Sequence, residues 1–252
     1  MTERVAVMLV DGALTGTLDR PEKKNAIDAA MIEGLAALIE RAELEAAVRV
    51  LVLRGAGKDF CAGMDLTELL QSVDRTVEQN RAAALQFGGL FLRLRALPKP
   101  VIAVVQGRAI AGGCGLATAC DLVLAAESAQ FGYTEVQRGF VPALVMNMLR
   151  RAVGEKVAFD LAVTGRLMTA REAERAGLVS RVWPDAEFAA SADELIRTMA
   201  QLSPTALALT KQQFYRLDGV GFEEGIRLSA DVNAVSRTTP DFRAAIAAFL
   251  KK

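Results

Sequence analysis

GRAIAGGCGLATACD (residues 107–121) holds four glycines and two cysteines, and no charge falls between Arg108 and Asp121. Glycine collects in such a run for one of three physical reasons: to wrap a phosphate, to bare backbone N–H groups to a reacting oxygen, or to let a helix pack closely. LPKPVIAVVQG (97–107) before it is an apolar strand pattern introduced by two prolines, and DLVLAAES (121–128) after it is another. Strand, glycine turn, short helix and strand in succession predict an α/β fold.

Outward from this centre the same grammar recurs at a spacing of about 50 residues, without identity that makes a repeat. VAVMLV, Asp11-Gly12 and ALTGTL read as an opening β-hairpin. DAAMIEGLAALIERAELE (28–45) has helical apolar spacing, with Asp28 placed to cap it. VRVLVLRG (48–55) is a strand, followed by GKDFCAGMDL and a more polar, helix-like stretch through Arg95. Residues 68–82 are the most polar part and read as a mobile loop or a surface helix. PALVMNMLRRAVG (142–154) is a helix stopped by Gly154, and Thr169 with Glu172 forms a capping box for a helix ending at Gly177. LVSRV (178–182) returns as strand. After Trp183 the pattern is helical, with Ser203-Pro204 and Pro240 opening two of the helices, the last running to Lys252. Residues 1–185 therefore read as the α/β core and 186–252 as a helical region.

The totals narrow the function. With 252 residues, 52% of them apolar, the chain can bury a sizeable core. Lys plus Arg and Asp plus Glu number 30 each, which argues against a nucleic-acid or anionic-membrane partner. MTERVAVMLVDG lacks the pattern of a signal peptide, no segment reaches membrane-spanning length, and Cys61, Cys114 and Cys120 read as reduced core residues, so a cytoplasmic protein is expected. There is no histidine. A Ser–His–Asp or Cys–His hydrolase is excluded within this chain, as are the usual histidine-bearing zinc sites, and no metal is expected. Chemistry falls to carboxylates, lysines or backbone amides.

The glycine run fits a dinucleotide fingerprint poorly, because Gly113-x-Gly115-x-x-Thr118 lacks the third glycine and no acidic residue follows at the expected distance. No Gly-Lys-Ser/Thr follows to make a P-loop. Close packing alone would account for Ala109, Ala111, Ala117 and Ala119. A sharper reading joins the run to FCAGMDL (60–66), which also follows a strand and ends in a glycine turn at a helix start. Two such turns on neighbouring strands would aim one amide each, from Met64 and Gly112, at a single oxygen, as in an oxyanion hole. Tight packing is compatible with this, since it is how the amides would be fixed.

RPEKKNAID (20–28), FCAGMDL (60–66), KPVIAVVQGRAIAGGCGLATACDLVLA (99–125), QFGYTEVQRGFVP (130–142) and VTGRLMTAREAERAGLVSRV (163–182), in this order, resemble the crotonase, or enoyl-CoA hydratase/isomerase, family over essentially the full length. The resemblance implies a crotonase-like α/β spiral of strand–strand–helix turns. Its C-terminal helical region would drive assembly to a homotrimer or a hexamer made as a dimer of trimers. It implies an acyl-CoA thioester as substrate, with no separate cofactor because CoA is part of the substrate, and places the thioester oxygen between the Met64 and Gly112 amides. It puts Lys24, Ala26, Ala62, Asp65, Leu66, Gly115 and Thr134 against the ligand, with Lys23 and Lys24 near CoA phosphates, although Asp65 also reads as a helix cap. The closing AFLKK resembles the family's last helix, where a lysine reaches a neighbouring subunit's CoA.

Hydratases of this family carry two glutamates that hold one water. Aligned on the glycine run, the first falls on Gly115, which cannot transfer a proton, and the second on Glu135 of FGYTEV. Three chemistries remain open. A 1,3-proton shift needs one base that takes and returns a proton. Hydration through Glu135 alone is favoured by Gly115 together with EVQRGFVPA, which resembles a bacterial branch that includes methylglutaconyl-CoA hydratases. A substitute carboxylate, Glu68 or Asp74, would fill the missing role. A protein that binds acyl-CoA without turnover is a further alternative. Phe87, Phe91, Phe140, Val141 and Leu144 read either as acyl-pocket walls or as core.

Overall fold

The Asp11-Gly12 turn takes positive φ at both residues, 48° and 82°, the conformation that closes a two-residue hairpin without splaying its strands. β1 (Val5–Val10) and β2 (Ala13–Leu18) accordingly pair antiparallel, Val10 opposite Ala13. This is a computed structural model, and it describes residues 4–251; Lys252, the last residue of the closing AFLKK, lies outside them.

α1 (Ala29–Leu44) follows, capped by the Asp28 carboxylate on the Met31 N–H at 2.8 Å. Then come β3 (Val50–Gly55), α2 (Leu66–Gln71), α3 (Val77–Ala96), β4 (Val101–Val105), β5 (Arg108–Ile110), α4 (Gly112–Thr118) and β6 (Leu122–Ala126). β7 (Gln130–Gly132), α5 (Ala143–Val153), α6 (Glu155–Thr164), β8 (Leu167–Thr169), α7 (Ala170–Ala176) and β9 (Arg181–Trp183) complete the strand-bearing part. Four helices close the chain: α8 (Asp185–Ala200), α9 (Pro204–Arg216), α10 (Phe222–Ser236) and α11 (Pro240–Phe249). The polar stretch 68–82 is helical, formed by the end of α2, a single 3₁₀ turn and the start of α3.

A six-stranded sheet runs β1-β2-β3-β4-β6-β9, parallel except for the hairpin, and a three-stranded sheet runs β5-β7-β8. Strands β3 and β4 are continuous apolar runs because both faces of a parallel sheet are covered. One face meets Met31, Leu35, Leu38 and Ile39 of α1, together with Leu90 and Leu94 of α3. The other carries Val50, Val52, Ile102, Val104 and Leu124, covered by Phe188, Ala192 and Ile196 of α8. α8 thus lies on the sheet although it follows residue 185.

The last residue of the opening stretch joins the sheet to α9. Asp121 accepts from Lys211 Nζ at 2.7 Å, from the Tyr215 hydroxyl at 2.7 Å and from the Val101 N–H at 2.7 Å. Lys211, buried, also donates to the Leu94 and Lys99 carbonyls. No helix among the described residues is long and apolar enough to cross a membrane.

Candidate active site

The two glycine turns lie side by side because their strands are in register. Cys61 bridges Ala109 in parallel, its N–H donating to the Arg108 carbonyl and its carbonyl accepting from the Ile110 N–H. Met64 and Gly112 are each three residues further on. Gly63, with φ at +90°, approaches so closely that a Cβ on it would stand 3.2 Å from the Gly112 nitrogen and 3.0 Å from the Ile110 carbonyl. Ala111 is held at φ 51°, ψ −124°, a costly conformation for a residue with a side chain, and it sets the direction of the Gly112 N–H. On its far side Met64 bridges Ile27. Among the described residues, neither the Met64 nor the Gly112 N–H donates to any protein group. Two unpaired donors on adjacent rigid turns are what a single developing oxyanion requires.

A buried polar frame holds the first turn. The Lys24 carbonyl accepts from the Ala62 N–H at 3.0 Å, and Lys24 and Asn25 both take positive φ. The Asn25 side chain is fully buried, accepting from the Arg20 N–H and donating to the Ala56 and Asp59 carbonyls. Arg20 Nη1 stands 2.6 Å from Asp65 and 3.3 Å from Asp28. Burial would push the Asp65 carboxyl up, but the Arg20 guanidinium and the Thr67 N–H hold it below the usual carboxylate value. Both Asp65 oxygens are therefore engaged within the protein, one of them capping α2. Ala26 and Ala62 are half-buried, while Lys24 and Leu66 are exposed at the same loop.

The second turn is tied to the strand that delivers Glu135. The Ala111 N–H donates to the Gly132 carbonyl at 2.7 Å, and Tyr133, Thr134 and Glu135 follow as buried residues. Glu135 is 9% exposed and its Oε2 has no hydrogen-bond partner. Burial pushes its carboxyl up, against weaker pulls from its own backbone N–H and from Arg138. Burial above all raises the nearby Cys114 thiol and Tyr133 hydroxyl, and the Glu135 charge adds to both. A buried carboxyl with one oxygen unpartnered and a raised pKa is suited to taking up and returning a proton.

The place beside Gly115 is not open. A Cβ there would fall 2.1 Å from Val145 Cγ1 and 3.6 Å from the Phe91 ring. Phe87 and Phe91 are buried and packed edge to face, 4.7 Å between centroids, whereas Phe140, Val141 and Leu144 are exposed. The Glu68 carboxylate is engaged with the Ala29 N–H at the start of α1, 3.1 Å from each oxygen, and Asp74 is exposed in the turn before α3. Sequence reading missed the Arg20–Asp65 pair, the Asn25 anchor and Val145. RPEKKN offered a signal for the first two, an arginine and an asparagine inside an otherwise exposed charged loop; Val145 offered none.

Known proteins bear on this arrangement. A profile of the enoyl-CoA hydratase/isomerase family matches residues 11–252. A Thermus thermophilus protein named "putative enoyl-CoA hydratase" is 45% identical, over 93% of each chain. The Escherichia coli 2,3-dehydroadipyl-CoA hydratase is 35% identical, over 94% of this chain and 91% of its own. The solved enoyl-CoA hydratase of Mycobacterium smegmatis superposes with a TM-score of 0.94 at 30% identity, covering 98% of this chain and 96% of its own. With paired turns, one buried glutamate and a match along nearly its whole length, the chain belongs to the enoyl-CoA hydratase/isomerase family of enzymes and has the crotonase fold.

Proposed function

We propose that this enzyme adds water to a 2-enoyl-CoA, with Met64 and Gly112 as the oxyanion hole and Glu135 as the single acid–base. The observation that carries the reading is the pair of unpaired, adjacent N–H groups on the strand-end turns, tied by the Ala111–Gly132 hydrogen bond to the segment of the unpartnered Glu135 carboxyl. The ionised Glu135 takes a proton from water as the water oxygen bonds to C3. Electrons of the C2–C3 double bond move toward the thioester carbonyl, and the enolate oxygen is stabilised by the two amides. The protonated Glu135 then delivers its proton to C2, so one water is added and the glutamate is restored. Each amide contributes by being aimed in advance at charge that develops only in the transition state.

The CoA portion runs along the Lys24–Ala26 and Ala62–Leu66 loops, with Thr134 beside the acyl group, while Val145 and Phe91 fill the space beside Gly115. Asp65 contributes by holding the loop in place, because its carboxylate is spent on Arg20 and Thr67 and its backbone N–H and C=O on Ile27 and Leu69. Exposed apolar side chains on the C-terminal helices, among them Phe222, Ile226 and Phe249, support assembly to a homotrimer or hexamer through this region.

One observation favours a second reading, enoyl-CoA isomerisation. Val145 occupies the space a second acid would need, and a 1,3-proton shift requires only a base that removes a proton from C2 and returns it at C4. Liquid chromatography–mass spectrometry of 2-enoyl-, 3-enoyl- and 3-methylglutaconyl-CoA separates the two. Gain of one water makes the enzyme a hydratase, and a retention shift at constant mass makes it an isomerase. No change with any thioester contradicts both and leaves acyl-CoA binding alone.

A further inference from the structure

Tyr133 has no part in the chemistry above, yet it is completely buried two residues before Glu135. Its hydroxyl stands 2.7 Å from Thr118 Oγ1. The Thr118 hydroxyl proton is committed to the Cys114 carbonyl at 2.8 Å, and a hydroxyl has only one proton to give. Tyr133 is therefore the donor and Thr118 the acceptor of their shared bond. Thr118 is the last residue of α4, whose first residue is Gly112. At the opposite end of the helix, the Ala111 N–H donates to the Gly132 carbonyl. Consecutive residues, Gly132 and Tyr133, thus hold α4 at both of its ends, one through backbone and the other through a side chain.

We infer that Tyr133 is a positioning residue, a strut that through Thr118 fixes the helix carrying the Gly112 N–H relative to the segment carrying Glu135. The reaction needs the thioester oxygen in the hole while C2 and C3 lie within reach of one carboxyl, so the separation of these two elements is the quantity that geometry must hold. A misplacement of this kind lowers the rate of the bound complex without weakening binding. The backbone bond at Ala111 can be made by any residue at position 132. The bond at Thr118 depends on having a long side chain that ends in a donor, and Tyr133 supplies it. Cys114 lies in the same pocket, where burial pushes its thiol up to about 12 and keeps it neutral.

The inference rests on the hydratase reading, and its test separates the two. Tyr133→Phe, Thr118→Val and Thr118→Ser are compared by steady-state kinetics on the enoyl-CoA that the wild type turns over. Amide hydrogen exchange of peptides spanning residues 109–120 is followed in the same four proteins. Tyr133→Phe and Thr118→Val are each expected to lower kcat about tenfold with KM within about twofold. The Tyr133→Phe/Thr118→Val double variant is expected to lose no more than Thr118→Val alone, because the bond that Tyr133→Phe removes is already absent there. Thr118→Ser, which keeps the acceptor, retains kcat. Exchange over 112–118 accelerates in the first two variants and not in the third. Unchanged kcat in Tyr133→Phe overturns the strut, as does Thr118→Ser behaving like Thr118→Val. A wild type inactive on every enoyl-CoA defeats the hydratase reading instead. Exchange then decides the strut alone, acceleration supporting it and unchanged exchange overturning it.

Discussion

In the proposed site Gly115 matters by having no side chain and Glu135 by having one carboxyl oxygen without a partner. A methyl group on Gly115 would meet Val145 Cγ1 at 2.1 Å and its Cβ at 3.2 Å. Val145 is buried and β-branched, so it has little rotamer freedom with which to move aside. Gly115→Ala is expected to cost about 1–3 kcal/mol, read as a lower urea midpoint, and Val145→Ala in the same chain to recover most of it. A Gly115→Ala protein as stable as wild type would contradict the packing. In the proposed mechanism Glu135 acts as a base when ionised, so kcat/KM should fall as pH falls through its raised pKa, placing the acid limb above the ordinary glutamate range. For stability the sign reverses. A carboxyl raised in the folded state stabilises it fully below the unfolded pKa, and that contribution is lost as pH rises through the folded pKa. Glu135→Gln should therefore raise the melting temperature at pH 7 and not at pH 4. At this scale Met64, Gly112 and Glu135 could be named as candidates from the sequence because each stands in a short contiguous motif. Val145 was not, because its role is a contact across 30 residues with a glycine that offers no side chain to pair with.

Elements with local signals were read directly. The Asp11-Gly12 turn, the Asp28 cap, the Thr169–Glu172 capping box and the Ser203-Pro204 start all act within three residues of themselves, and each is present. The strand at LVSRV is displaced to Arg181–Trp183, because only those residues reach β6 for pairing. What α9 rests on was invisible, since Lys211 looks like any exposed helix lysine until its partners Leu94, Lys99 and Asp121 are brought to it. Its burial lowers the ammonium's pKa, and Asp121 partly restores it. Lys211→Ala leaves a buried carboxylate with one cation fewer and should cost about 3 kcal/mol. The check is chemical denaturation, with α9 expected to lose exchange protection first. An unchanged midpoint would mean that the helix is held by its apolar contacts alone.

Over the whole molecule, the two sheets and α8 form cores that close on themselves, whereas the last helices do not. Phe222 is 87% exposed and Phe249 75%, side chains that a stable monomer would be expected to bury. The proposed assembly predicts a solution mass of three or six copies of the 26.9 kDa chain, measured by light scattering, and Phe222→Asp should shift it downward. A monomeric wild type would contradict assembly through this face. The sequence order of strands and helices is enough to fix the α/β class. The division into a six-stranded and a three-stranded sheet was not legible, because β5, β7 and β8 are three residues each and too short to carry a period.

The central claim is that one carboxyl performs the whole proton transfer. It is tested most directly by the steady-state rate of Glu135→Gln against wild type on the enoyl-CoA that wild type hydrates. The account predicts a fall in kcat of about 10²- to 10⁴-fold, with KM little changed because the two amides and the CoA loops are untouched. A variant that keeps more than about a tenth of the wild-type kcat would place the acid–base elsewhere and contradict it.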